Sequence, residues 1–171
     1  MTDAIAKRSI AIVGFMAAGK SRIGRALAHR LDLAFADTDS IIEDSFGLSV
    51  ADIFLQRGEA EFRRAERQVI HQLLFADARV ISLGGGAFVD PVNCDLLNSR
   101  ASTIWLDPPF ELILQRLRRS SDRPLAANRT EDELRALWAE RRESYAKAQV
   151  RIEGHDGNPE TIVDGIISAL D

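Results

Sequence analysis

Short runs with the length of strands recur along the chain with helical spacing between them, the first of them apolar and rich in Ile and Val. The runs span 9–13, 34–37, 79–83, 102–106 and 150–153, and each has the length and composition of a buried strand. After the first, Ile23, Leu27 and Leu31 recur at i, i+4 and i+8 as one helical stripe. Residues 58–76 form a longer amphipathic stretch with Phe62, Val69, Ile70 and Leu73 on its core face. Helix starts are legible too. Ser49 with Asp52 and Thr130 with Glu133 resemble capping boxes, and Asn158 before Pro159 reads as an N-cap with proline at N1. Strands alternating with helices predict a parallel sheet covered on both faces. Ligands of such sheets bind beyond the carboxyl ends of the strands.

At 171 residues this is expected to be one domain, 1–171. The net charge of −4 gives no electrostatic reason to expect a nucleic-acid partner. Only Lys7, Lys20 and Lys147 are lysines, so 19 of the 22 basic residues are arginine, a residue suited to bidentate pairing with phosphate or carboxylate. Cys94 is the sole cysteine, which fits a reducing compartment. No run approaches a membrane span and the first residues lack an apolar leader core, so a cytoplasmic protein is expected, with no membrane partner.

Chemistry sits at three strand ends. The first strand runs into G-x-x-x-x-G-K-S, with Gly14, Gly19, Lys20 and Ser21 at the fixed positions. Strand, turn and helix N-terminus gather backbone N–H groups and the positive end of a helix dipole around one point, a phosphate cradle. Lys20 can reach the outer phosphates and Ser21 can ligate Mg²⁺. The second strand ends in Asp37-Thr38-Asp39. If extended geometry persists, both carboxylates face one side, one for Mg²⁺ and one to accept a substrate proton; the alternative is a pair of aspartates capping the next helix. The third ends in Gly84, Gly85 and Gly86, which suits close ligand approach, the alternative being a turn that needs positive φ. Arg63 and Glu66 are i, i+3 neighbours, either an intrahelical ion pair or a guanidinium fork aimed at a substrate carboxylate. The polar, arginine-dense segment 118–128, interrupted by Pro124, reads as a lid, the alternative being a solvated linker. His29 and His71 read as surface or packing residues.

The order and spacing of GFMAAGKS, DTD, EFRRAE, SLGGGA, DRPLA and ERRESY resemble the shikimate kinase family from about residue 9 to 145. The resemblance implies an α/β P-loop kinase of the nucleoside-monophosphate-kinase type, with a five-stranded parallel sheet in the order 2-3-1-4-5. It implies transfer of a phosphoryl group from ATP, with Mg²⁺, to the 3-hydroxyl of shikimate, on the route to chorismate and the aromatic amino acids, by a monomer. It puts Gly14, Ala17, Ala18, Gly19, Lys20, Ser21, Arg22 and the lid residue Arg123 around the nucleotide, and Ser21 and Asp37 on the metal. Asp39 becomes the base, with Lys20 and Arg123 beside it in catalysis. Arg63 and Arg141 grip the carboxylate, Glu66 orients Arg63, Gly84, Gly85 and Gly86 supply backbone donors, and Phe54 and Phe62 wall the pocket. The substrate-binding segment is about 38–66.

Two positions depart from the family. Glycine is usual where Ala17 stands, and a positive φ there would strain alanine. The loop after the fifth strand, GHDGN, lacks the arginine that many members lay against adenine, leaving His155, Arg116 or Arg119 for that role. A kinase for another hydroxylated acid or carbasugar, and a non-catalytic nucleotide-binding module, are the alternatives at this point.

Overall fold

The computed structural model describes residues 8–119, 129–154 and 157–171. Strands β1 (Ser9–Val13), β2 (Ala34–Asp37), β3 (Arg79–Ser82), β4 (Ala101–Leu106) and β5 (Val150–Ile152) form one sheet in the order β2-β3-β1-β4-β5. All four pairings are parallel. The helices are α1 (Lys20–Leu31), α2 (Thr38–Phe46), α3 (Val50–Arg57), α4 (Glu59–Leu74), α5 (Pro91–Arg100), α6 (Phe110–Arg119), α7 (Glu131–Tyr145) and α8 (Pro159–Leu170), with a 3₁₀ turn at Ala87–Val89.

Period-two alternation in the central strand explains why it is apolar from Ile10 to Val13. Ile10 and Ile12 point into one core with Val80, Ile104 and the stripe Ile23, Leu27 and Leu31 of α1, closed by Ile162, Val163 and Ile166 of α8. Ala11 and Val13 point into the other, with Ile81, Leu83 and Trp105, under Ile42, Phe62, Ile70, Leu97, Ile113 and Tyr145. Each fully buried aliphatic side chain contributes about 1.5–3 kcal/mol relative to exposure. Two faces buried in this way require the continuous apolar run seen in the sequence.

Caps start the helices where the sequence suggests. Thr130 and Glu133 make both hydrogen bonds of a capping box at α7, and Asn158 caps α8 with Pro159 behind it. Ser49 caps α3 by accepting the Asp52 amide. One boundary differs from expectation. Arg118 and Arg119 close α6 instead of opening a loop, because three arginines in the last turn complement the negative end of the helix dipole. Arg118 also pairs with Glu131 at 3.0 Å. Residues 120–128, with Arg123, and His155 lie outside the described residues. Among the described residues no helix is long and apolar enough to cross a membrane.

Candidate functional site

A cleft of about 590 Å³ opens at the carboxyl ends of β1, β2 and β3. On one side lies the phosphate cradle. Helix α1 starts at Gly19 with no side chain capping it and no acidic residue in its first turn. Its first N–H groups and dipole therefore favour an incoming anion. The buried Lys20 ammonium donates to the carbonyls of Gly14 (3.0 Å) and Phe15 (2.9 Å), which folds the loop around it. Gly14 has φ 145°, and a Cβ there would stand 2.5 Å from the Leu106 carbonyl oxygen, so only glycine fits. Ala17 adopts φ 58°, the strained conformation anticipated for a non-glycine residue. The Arg116 guanidinium donates to the carbonyls of Ala17 (3.2 Å) and Ala18 (2.9 Å). Arg22 is exposed at the start of α1.

The two aspartates converge for a reason other than strand alternation. Asp37 is the N-cap of α2, and its Oδ1 accepts the amides of Asp39 (3.2 Å) and Ser40 (3.4 Å). Asp39 is already helical. Extended geometry ends at Asp37, and the turn into α2 brings both carboxylates to the cleft. The Ser21 hydroxyl donates to Asp37 Oδ2 at 2.6 Å and lies 3.2 Å from the Ser82 hydroxyl. Register explains the third member, since Asp37 pairs directly with Ser82 across β2 and β3. This trio of hard oxygen donors suits Mg²⁺, which takes few protein ligands and completes its shell with water and phosphate. Among the described residues no three His, Cys, Asp or Glu side chains cluster for a metal of another kind.

Opposite the cradle, Arg63 Nη1 donates to Glu66 Oε2 at 2.8 Å, and Glu66 is fully buried. Arg63 also bonds Glu59 at 3.3 Å and lies 5.3 Å from the centre of the Phe62 ring and 5.9 Å from that of Phe54. The Phe54 and Phe62 rings pack tilted by 35° with centres 4.8 Å apart, and both line the cleft. Arg141 arrives from α7, over Phe15 and beside the Tyr145 hydroxyl.

The three glycines are where these groups meet. A Cβ on Gly84 would stand 2.5 Å from Asp39 Oδ1 and 3.2 Å from Glu66 Oε1; on Gly85, 3.4 Å from Arg141 Nη1; on Gly86, 2.6 Å from Arg63 Nη2. None of the three has positive φ, so a turn requirement does not explain them. They are side-chain-free because functional side chains from α2, α4 and α7 occupy the space. The Gly84 amide donates to the buried Thr38 hydroxyl at 3.0 Å. That partner removes Gly84 from the backbone donors expected for a ligand.

Asp39 Oδ1 and Glu66 Oε1 are buried without a hydrogen-bond partner among the described residues. Burial pushes the Asp39 carboxyl above the usual carboxylate range; Asp37 and Glu43 add to this while Lys20 and Arg63 oppose it. Burial likewise raises Glu66 against the pull of Arg63. Burial would lower the Arg63 guanidinium, but Glu66 and Glu59 outweigh it and raise it. Two orphaned carboxylate oxygens beside two guanidinium groups make a site that satisfies hydroxyls and an anion at once.

Ser82, Thr38, Glu43 and Tyr145 were not assigned roles from the sequence. Glu43 Oε1 accepts the Val50 amide at 2.9 Å, joining α2 to α3. A polar residue ending an otherwise apolar buried strand was the available signal for Ser82.

Residues 16–171 match the family model described as shikimate kinase. The chain belongs to the shikimate kinase family. A shikimate kinase from Sulfurihydrogenibium sp. is 36% identical, with 95% of this chain and 98% of that protein covered. The structure of a shikimate kinase from Acinetobacter baumannii in complex with shikimate superposes with a TM-score of 0.91 at 34% identity, over 98% of this chain and 96% of that one. A gluconokinase from Sinorhizobium meliloti, at 14% identity and a TM-score of 0.60 over 96% of this chain and 92% of that one, shares the fold alone. The family's reaction, ATP-dependent phosphorylation of shikimate, is the activity of this chain.

Proposed function

We propose that the cleft divides the transfer to the 3-hydroxyl of shikimate among its walls as follows. The N-terminus of α1 and Lys20 hold the ATP phosphates. Ser21 and Asp37, backed by Ser82, would hold Mg²⁺, which when bound neutralises charge on the transferred group. Arg63 and Arg141 hold the substrate carboxylate, Glu66 keeps Arg63 in place, and Phe54 and Phe62 pack against the ring. Asp39 receives the hydroxyl proton as the oxygen attacks phosphorus. Its raised affinity for a proton, caused by burial, suits a base that is neutralised during the step. The family resemblance assigns Arg123, outside the described residues, to the ATP phosphates. The chain works as a monomer in the cytoplasm, a reading supported by its family resemblance and by its lone cysteine.

One observation carries this reading. The guanidinium groups of Arg63 and Arg141 stand against consecutive glycines, Gly86 and Gly85, and the unpartnered oxygen of Asp39 stands against the next, Gly84. An anion grip and a proton acceptor so close together fit a small hydroxylated acid. The test is coupled ADP release with shikimate, quinate and gluconate, for wild type and Asp39→Asn. Shikimate should be strongly preferred, and the variant should lose about 10²-fold or more in kcat while still binding ATP. Equal use of gluconate, or near-native kcat in the variant, would overturn the reading.

A further inference from the structure

Outside the cleft, one buried carboxylate holds two arginines. Asp107 follows β4 directly, and its side chain is 4% exposed. Oδ1 accepts from Arg142 of α7 at 2.6 Å, and Oδ2 accepts from Arg151 of β5 at 2.9 Å. The Asp107 backbone is fixed as well, its amide donating to the Ile152 carbonyl at 2.9 Å. The Arg142 guanidinium lies 4.9 Å from the ring centre of Trp105 and 4.6 Å from that of Trp138. The carboxylate is buried while the Arg142 and Arg151 side chains are 29% and 52% exposed, and its two bonds tie together two elements, α7 and β5.

Arg142 follows Arg141 on α7. Residues 141 and 145 are one turn apart on the face toward the glycines, where the Tyr145 hydroxyl donates to the Gly85 carbonyl. Residues 138 and 142 are one turn apart on the adjoining face, toward Trp105 and Asp107. The helix is thus held on two faces, and together they set its rotation and its advance along its axis.

We infer that Asp107 and Arg142 are positioning residues that set α7 so that Arg141 meets the substrate carboxylate beside Gly85. The inference rests on the proposed role of Arg141. Arg151 shares the same carboxylate but belongs to β5 and not to α7, so it serves as an internal control. Asp107 acts here as an anchor for a helix, and it does not line the cleft.

The experiment is steady-state kinetics on Arg142→Met, which keeps packing on the two tryptophans, and on Arg151→Met, with a melting curve for each. Arg142→Met should raise the KM for shikimate roughly five- to twentyfold and leave the KM for ATP within about twofold. Arg151→Met should leave both within about twofold of wild type. Arg141→Ala combined with Arg142→Met should be no worse for shikimate than Arg141→Ala alone, because a positioning residue has nothing left to position. Arg142→Lys keeps the charge and should recover part of the loss; it carries the same test if the methionine variant is unfolded. Equal effects of Arg142→Met and Arg151→Met, or full additivity with Arg141→Ala, would overturn the inference while sparing the Arg141 assignment. An unchanged shikimate KM in Arg141→Ala would overturn both.

Discussion

Gly84 and Asp39 are in such close apposition that a single added methyl group would collide with the proposed base. An ideal Cβ on Gly84 lies 2.5 Å from Asp39 Oδ1, and two residues on, a Cβ on Gly86 lies 2.6 Å from Arg63 Nη2. The glycines are therefore the floor on which the proposed base and the two proposed carboxylate-binding arginines rest, and each supports a different one.

Alanine at these two positions should separate chemistry from binding. Gly84→Ala should displace Asp39 and lower kcat by roughly 10²-fold, the scale of a misplaced general base. Gly86→Ala should displace Arg63 and act mainly on the KM for shikimate. Identical kinetic defects in the two variants would show that the segment acts only as a unit of the fold.

The carboxylate grip predicts a paired effect. Each charge-assisted hydrogen bond contributes about 1.5–3 kcal/mol, so Arg63→Ala or Arg141→Ala should raise the KM for shikimate by roughly 10- to 100-fold, with the KM for ATP little changed. The double variant should fall short of the product of the single effects, since both side chains hold one group. Shikimate methyl ester should be a poor substrate of wild type and lose little more in either variant. If acid and ester were used equally by wild type, the grip would be refuted.

Ala17 at φ 58° is a local strain that glycine would relieve. The left-handed conformation costs an L-residue about 1–2 kcal/mol, and glycine gives back about 0.4–1 kcal/mol through the freedom it adds to the unfolded chain. Ala17→Gly should therefore stabilise by roughly 0.5–1 kcal/mol, or about 1–4 °C in Tm for a chain of this size. Thermal melts of the two proteins without ligand would decide it, and a lower Tm for the glycine variant would mean that Arg116 and the cradle favour alanine.

Tyr145 is the only tyrosine in the chain, so its titration can be read directly from the ultraviolet difference spectrum of tyrosinate. Burial pushes its hydroxyl up to about 12 from the ordinary 10, against the opposing pull of Arg141. The native state therefore keeps a proton that the unfolded chain releases between about pH 10 and 12. Stability from this group is intact below pH 10 and is lost as pH rises through 12. Tyrosinate should appear near pH 12 or together with unfolding, and Tyr145→Phe should flatten the alkaline loss of stability. Free titration near pH 10 in folded protein would contradict the burial of this hydroxyl and its bond to Gly85.

The sequence alone determined the sheet class and the phosphate cradle. Period-two burial on both faces forces β1 to be apolar from Ile10 to Val13, and the loop's glycines, lysine and serine act within a few residues of one another, so their spacing carries the chemistry. Helix starts were legible for the same reason, because a cap and its partner lie three residues apart. Tertiary structure decided the rest. Spacing left Asp37 as either metal ligand or helix cap, and the fold makes it the cap of α2 while also setting it beside Ser21 and Ser82 through strand register. Whether Arg63 and Glu66 were a surface pair or a buried fork depended on how α4 rolls against the sheet, and Glu66 came to rest fully buried. The glycine triplet looked like a place for ligand backbone contact or a turn. In the fold it is also clearance for side chains from α2, α4 and α7, with Asp39 and Arg63 lying 45 and 23 residues before the glycine each meets and Arg141 lying 56 residues after. Local patterns encode what neighbours along the chain do to each other, whereas the meeting of Asp39, Arg63 and Arg141 over three glycines is set by how separate helices dock on one sheet.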